Sequence, residues 1–241
     1  MESVSYKFIF PDHIKMDMEY GRSTLARCLD GLPNAHKMFH YDEKGKPLPG
    51  GFPRVRTWSN NNRIEILAIG KEMIDIAEGF MPNIIFGFTR RFGVMPSIQV
   101  TKNNIDVEYS QEPFFYVANS MVIDRDLKAC ETFEKKDDAS RFEKIHKVLI
   151  SGLERQANEF GLKLPSEMPS IHGLQVLKYH PRAKLVFDGD DVLQHGPAVN
   201  LGFFWNAKVS GSWCVGGVTS KGHGRIWYAP QVLHELLVKA A

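Results

Sequence analysis

The first hundred residues alternate strand-forming and helix-forming segments in an order that leaves few folds open. Ser3 to Phe10 is rich in β-formers and stops at Pro11, as a strand would. Residues 20–30 put Leu25, Ala26 and Leu29 on one helical face, and the Gly-Leu-Pro-Asn run over 31–34 ends that helix. Residues 41–53 carry Gly45, Pro47, Pro49, Gly50, Gly51 and Pro53, which is loop chemistry. Arg54 to Trp58 and Arg63 to Ile69 flank Asn60, Asn61 and Asn62 and read as a hairpin. A helix is expected from about Lys71 to Phe80, closed by Gly79 and Pro82. Strands are expected over 83–88, 97–101, 105–109 and 114–123. The order β-α-β-β-α-β is that of a ferredoxin-like unit.

The second half reads as a related, degraded copy. Residues 124–137 are charged and lack Pro and Gly, so a linker or solvated turn is expected there. From about Asp138 to Phe160, apolar Phe142, Ile145, Leu149, Leu153, Ala157 and Phe160 recur at steps of three and four, which predicts a long helix capped by Gly161. Strands follow near His172 to Tyr179, Lys184 to Phe187 and Gly202 to Lys208. Trp213 to Val215 and Arg225 to Tyr228 flank a glycine-rich loop, and an amphipathic helix begins at Pro230. The expected domains are 1–125 and 126–241, with the glycine-rich loop at 216–224. No internal repeat or low-complexity tract occurs.

Composition narrows the functional classes. With 43% hydrophobic and 24% charged residues, the chain can bury an ordinary core. No apolar run approaches the ~18 residues of a membrane helix, and Met1 to Val4 does not open a secretory leader. Cys28, Cys130 and Cys214 are far apart, with no CxxC pair and no zinc spacing, which fits reduced thiols in a cytoplasmic protein. Net charge is only +2, yet residues 43–71 carry a net +4 and residues 205–241 a net +3. Such patches suit a polyanion, or simply form a solvated basic face.

The loop itself carries the most chemistry. Gly216, Gly217, Gly222 and Gly224 surround Thr219, Ser220 and Lys221, with His223 and Arg225 beside them. Glycine permits φ > 0 and close approach of a ligand, and successive N–H groups can converge on a phosphate. The GxxxxGK[ST] spacing of a P-loop is absent, and the loop lies between two strands, so it is not a dinucleotide fingerprint. The plainer alternative is a hairpin loop that needs glycine only for its turn.

At this loop the sequence resembles the RAMP superfamily of CRISPR proteins, RNA-binding proteins built from ferredoxin-like domains. Their C-terminal G-rich loop ends in G-x-G followed by a strand, here Gly222-His223-Gly224 and then Arg225-Ile226-Trp227. Pro53 to Arg56 and Arg63 to Gly70, running into a helix, resemble the first-domain hairpin of the family's CRISPR-RNA processing endoribonucleases. Leu201 to Lys208 resembles the paired strands those enzymes place before the loop. Within the group, the type IV processing endonuclease is the nearest. The resemblance implies an α+β fold: a ferredoxin-like (RRM-like) RAMP domain followed by a degraded second one.

It also implies metal-independent cleavage of CRISPR repeat RNA, with no cofactor. The ribose 2′-OH attacks the adjacent phosphate, leaving a 2′,3′-cyclic phosphate. The mature guide RNA hairpin is retained, and other CRISPR effector subunits are possible partners. Such a reaction needs a base, an acid for the leaving oxygen, and positive charge on the phosphorane. The candidates are Arg22 and Arg27 on the first helix and His36 and His40 after it; either histidine equally reads as a surface residue in a helix-end loop. Arginine alone, including Arg225, can supply the electrostatic part. Arg54, Arg56 and Arg63, with Trp58 to stack a base, are candidates for RNA contact, or they decorate an exposed sheet face. His223 is a further RNA contact or a solvated turn residue. Arg141, Lys144 and Lys147 form a basic stripe on the long helix, and a solvated face accounts for it. Asp188, Gly189, Asp190 and Asp191 with His195 lack EF-hand spacing and read as a polar turn. Two readings compete with the nuclease: a non-catalytic RAMP subunit that only binds RNA, and an α/β protein unrelated to RNA.

Overall fold

The computed structural model describes residues 1–46, 48, 53–124, 127–164, 171–188 and 191–240. The chain forms two compact units. The first comprises Met1–Ile105 together with Ser220–Gly222; the second comprises Asp106–Thr219 and His223–Ala241. The boundary expected at 125 therefore falls inside the second unit, after a strand that pairs there.

In the first unit, β1 (Glu2–Ile9), α1 (Met18–Leu29), β2 (Val55–Asn60), β3 (Arg63–Ile69), α2 (Lys71–Phe92) and β4 (Ser97–Asn104) follow one another. The sheet order is β2-β3-β1-β4, and every neighbouring pair is antiparallel. This is the ferredoxin-like arrangement. Alternation puts Val4, Tyr6 and Phe8 of β1 on one face with Ile64, Ile66 and Ala68 of β3. Leu25 and Leu29 of α1 and Ile74, Ala77, Ile84 and Phe88 of α2 close over them. A short 3-10 helix (Ala35–Phe39) drives Met38 into the same core.

The expected strand over 83–88 is instead the second half of α2. The helix passes through Pro82, which is exposed, and stops at Gly93, whose φ of 70° supplies the left-handed cap. Proline costs a helix one hydrogen bond; burial of Ile84 and Phe88 on the continuing helical stripe offsets that loss.

The second unit holds β5 (Asp106–Val122), α3 (Leu127–Glu134), α4 (Asp138–Glu159), β6 (Ile171–Asp188), β7 (Asp191–Ser210), β8 (Trp213–Cys214), β9 (Arg225–Tyr228) and α5 (Pro230–Ala240). Sheet order is β6-β7-β5-β9-β8, again antiparallel. Taking β5, β6, β7 and β9 as the four strands reproduces the order of the first unit, with the glycine-rich loop where the second helix would stand. The supposed linker contains α3, whose Cys130 and Phe133 are buried and whose Phe133 ring lies 5.8 Å from that of Tyr179. Strands expected as short pieces are long and bulged. Register shifts fall between Tyr109 and Phe114 and between His180 and Ala183, and these gaps hold Pro113 and Pro181. α5 lays Val232, Leu233 and Leu236 against Phe115, Val117 and Ala229. No described helix is long and apolar enough to cross a membrane.

Candidate active site

In the first unit the local fold fixes one arginine beside the glycine-loop tip. Asp17 caps α1 by accepting from the Tyr20 N–H at 2.7 Å. Ser59 of β2 donates to the Asp17 carbonyl at 2.6 Å. The helix can approach β2 this closely only because residue 21 is glycine: a Cβ there would sit 2.2 Å from Ser59 Oγ. The next residue, Arg22, is thereby held against the sheet and is 8% exposed.

Its guanidinium donates through Nη1 to the Ser220 carbonyl at 2.9 Å and through Nη2 to the Phe39 carbonyl at 3.3 Å. It also lies 5.3 Å from the centre of the Phe39 ring, a cation–π contact. Phe39 ends the 3-10 helix that carries His36, and His40 caps that helix in the left-handed region at φ 62°. Three segments far apart in the sequence thus meet at one guanidinium: α1, the histidine-bearing turn, and Ser220. Trp58 of β2 reinforces the last of these by donating Nε1–H to the Gly222 carbonyl at 3.0 Å.

Arg27 is elsewhere. Five residues after Arg22, it lies about 140° around the helix, exposed at a groove between α1 and α2. The two candidate arginines of the first helix do not form one cluster.

The hairpin residues divide. Arg63 is exposed at the start of β3. Arg54 is half-buried, its Nη1 3.3 Å from Met1 Sδ. Arg56, expected on an exposed face, is fully buried, with Nε donating to the Pro53 carbonyl at 3.4 Å. Alternation places a residue on a face; it does not say whether that face is covered.

In the second unit the remainder of the loop is built into the sheet. The Gly224 N–H donates to the Asn119 carbonyl at 2.8 Å, the Val215 N–H to the Gly224 carbonyl at 2.9 Å, and the Gly217 N–H to the Val122 carbonyl at 3.0 Å. Gly216 and Gly224 adopt φ of 82° and 71°. A Cβ on Gly224 would lie 1.7 Å from the Val215 carbonyl oxygen, and one on Gly216 would lie 2.7 Å from that of Val122. These two glycines accommodate the chain's own backbone. Thr219 is buried and Arg225 half-buried on β9. His223 is also buried, with Nδ1 2.9 Å from Ser120 Oγ. For Lys221 only the backbone is described, in a 3-10 turn over Thr219–Lys221.

One residue behind this loop escaped the sequence reading. Gln156 of α4 is fully buried, accepts from the Cys214 N–H at 2.8 Å and donates to the Ser212 carbonyl at 3.3 Å. A polar residue three places after Leu153 on an apolar stripe is the signal that marks it. Of the polar turn expected over 188–191, Asp188 and Asp191 pair across the β6–β7 hairpin, while Gly189 and Asp190 lie outside the described residues.

The family model of the type IV CRISPR-associated endonuclease Csf5 matches residues 1–230. No curated protein matches the sequence. Among solved structures, a Csf5 described as a CRISPR-Cas type IV Cas6 crRNA endonuclease is 20% identical, with a TM-score of 0.73 over 95% of this chain and 99% of that one. A Cas6b structure is 15% identical, with a TM-score of 0.65 over 95% of this chain and 100% of that one. A second Cas6b, a CRISPR RNA processing endoribonuclease, is 15% identical, with a TM-score of 0.59 over the same shares. At these identities the likeness shows the fold.

Proposed function

Since the chain belongs to the type IV CRISPR-associated endonuclease Csf5 family, we propose that it processes CRISPR repeat RNA by metal-independent transesterification and keeps the product hairpin. The ribose 2′-oxygen attacks the neighbouring phosphorus as its proton passes to a base. The P–O5′ bond breaks and O5′ takes a proton from an acid, leaving a 2′,3′-cyclic phosphate and a 5′-OH. The observation that carries this reading is the position of Arg22, joined to the Ser220 carbonyl and to the Phe39 end of the histidine-bearing turn.

In this reading Arg22 stabilises the charge that grows on the phosphorane, and a preorganised, largely desolvated guanidinium is suited to that. His36 or His40 moves the proton, histidine being the side chain that does so near neutral pH. Lys221 and Arg225 bear on the RNA backbone, and Arg54 and Arg63 extend the basic track. Gly216 and Gly224 shape the loop for this purpose, and the buried His223 holds it through Ser120.

Single-turnover cleavage of a labelled repeat hairpin by wild type, Arg22→Lys and Arg22→Ala tests the assignment. Arg22→Ala is expected to lose roughly 10²–10³-fold in rate, with Arg22→Lys between the two and the Kd for RNA changed far less. Cleavage by Arg22→Ala at the wild-type rate would remove Arg22 from the mechanism. Tight binding without any cut by the wild type would make the chain an RNA-holding subunit.

A further inference from the structure

The groove between α1 and α2 carries charge that the proposed chemistry does not use. It is a concavity of about 510 Å³ lined by Thr24, Arg27, Asn83, Phe86, Arg90 and Arg91, with no carboxylate among its described lining residues. A Cβ on Gly87 of α2 would lie 2.4 Å from Cys28 Sγ, so the two helices are in close contact at the groove.

Each of the three arginines also lies in the last turn of its helix, where a cation complements the helix dipole. The dipole explains one cation per helix end. It does not explain why the cations of two helices converge on the same groove, nor why Phe86 stands 68% exposed at its rim. Arg91 is already fixed: Nε and Nη2 donate to Tyr20 Oη at 3.2 and 3.1 Å, and its guanidinium lies 5.8 Å from the centre of that ring. Arg27 and Arg90 are exposed.

We infer that this groove is a second RNA site, which takes a single strand flanking the repeat hairpin. A basic channel that tracks phosphates beside an aromatic platform is how proteins bind single strands. The volume lies in the range of sites for small ligands, enough for a nucleotide or two. Arg27 and Arg90 contact the phosphates and Phe86 stacks a base. An acidic peptide is the competing ligand for the same charge, and the exposed aromatic favours RNA over it. The inference rests on the reading of the chain as an RNA endonuclease.

The test compares the full-length wild type with Phe86→Ala and Arg90→Ala, two exposed positions outside the cleavage site. The probes are a bare repeat hairpin, the same hairpin with a single-stranded flank, and a poly-glutamate peptide as competitor. Wild type is expected to bind the flanked RNA more tightly than the bare one. Each variant should lose roughly tenfold on the flanked RNA only, and Arg90→Ala should reduce the salt slope by about 0.7. Cleavage of the bare hairpin should not change.

Equal wild-type affinity for the two RNAs would overturn the inference, as would variants that bind the flanked RNA like wild type. Displacement of the flanked RNA's extra affinity only by the peptide, with no variant effect on RNA, would assign the groove to an acidic protein partner instead. A flank-dependent, Arg90-dependent affinity in a protein that cuts nothing would keep the groove and remove the nuclease. Normal cleavage with silent variants would do the reverse.

Discussion

Gln156→Ala is expected to destabilise the second unit by about 3 kcal/mol. β8 is the last strand in the order of its sheet, and among the described residues it pairs only with β9. The Val215 N–H is bonded to Gly224, so the Cys214 N–H one residue earlier points away from β9, and Gln156 accepts it. The glutamine side chain thus acts as a missing strand for one buried edge amide. Removing it deletes these two hydrogen bonds, each worth about 1 kcal/mol net, and takes the Gln156 oxygen away from the buried Cys214 amide, at about 1–3 kcal/mol. Partial overlap of these contributions sets the total at about 2–4 kcal/mol. The assay is urea unfolding followed by tryptophan fluorescence, because Trp205 and Trp213 are fully buried in this unit and their rings lie 6.1 Å apart. Gln156→Glu should also destabilise: its carboxylate still accepts from Cys214 but cannot donate to the Ser212 carbonyl. A loss under about 1 kcal/mol for Gln156→Ala would refute the argument, because a truly buried, satisfied amide does not give up its acceptor so cheaply.

Two further outcomes follow from the same packing. Gly224→Ala should cost well over the ~1–2 kcal/mol of a left-handed alanine, because its Cβ would also strike the Val215 carbonyl. Gly161→Ala, at φ 65° with no described atom within 4 Å of the added carbon, should show the backbone cost alone, and equal urea midpoints for the two would contradict the steric account. Burial pushes the Cys28 thiol up from its ordinary 9.0 to about 11. Below pH 9 the thiol is neutral in the folded and unfolded chain alike. Between pH 9 and 11 only the unfolded chain ionises, so wild type should lose stability across that window to a degree that Cys28→Ala does not; identical pH profiles would place the thiol in water.

The first unit was largely legible because its signals are local. The β-forming run that stops at Pro11, the hairpin around Asn60, Asn61 and Asn62, and the periodicity of α1 ended at Gly31 need no distant partner to be recognised. Pro82 carries a strong local stop signal that predicts a shorter α2, and burial of Ile84 and Phe88 on the continuing stripe outweighs it. The charges of α3 predict a linker and hide two buried residues, Cys130 and Phe133; the Phe133 ring packs on Tyr179, remote in the chain. The glycine-rich loop stood out by composition, yet composition did not show that Gly216 and Gly224 face their own backbone. Nor did it separate Arg22 from Arg27, although helical geometry alone places them on different faces. The burial of Arg56, and the bond from Arg22 to Ser220 across 198 residues, depend on tertiary structure and have no local trace.

The central claim is the chemistry of the cut, and the most direct measurement is incubation of a labelled CRISPR repeat hairpin with the full-length protein in EDTA, with product ends read by mass spectrometry. The account predicts cleavage that leaves a 2′,3′-cyclic phosphate and a 5′-OH. Products bearing a 3′-OH and a 5′-phosphate, or cleavage that appears only when a divalent metal is restored, would contradict it.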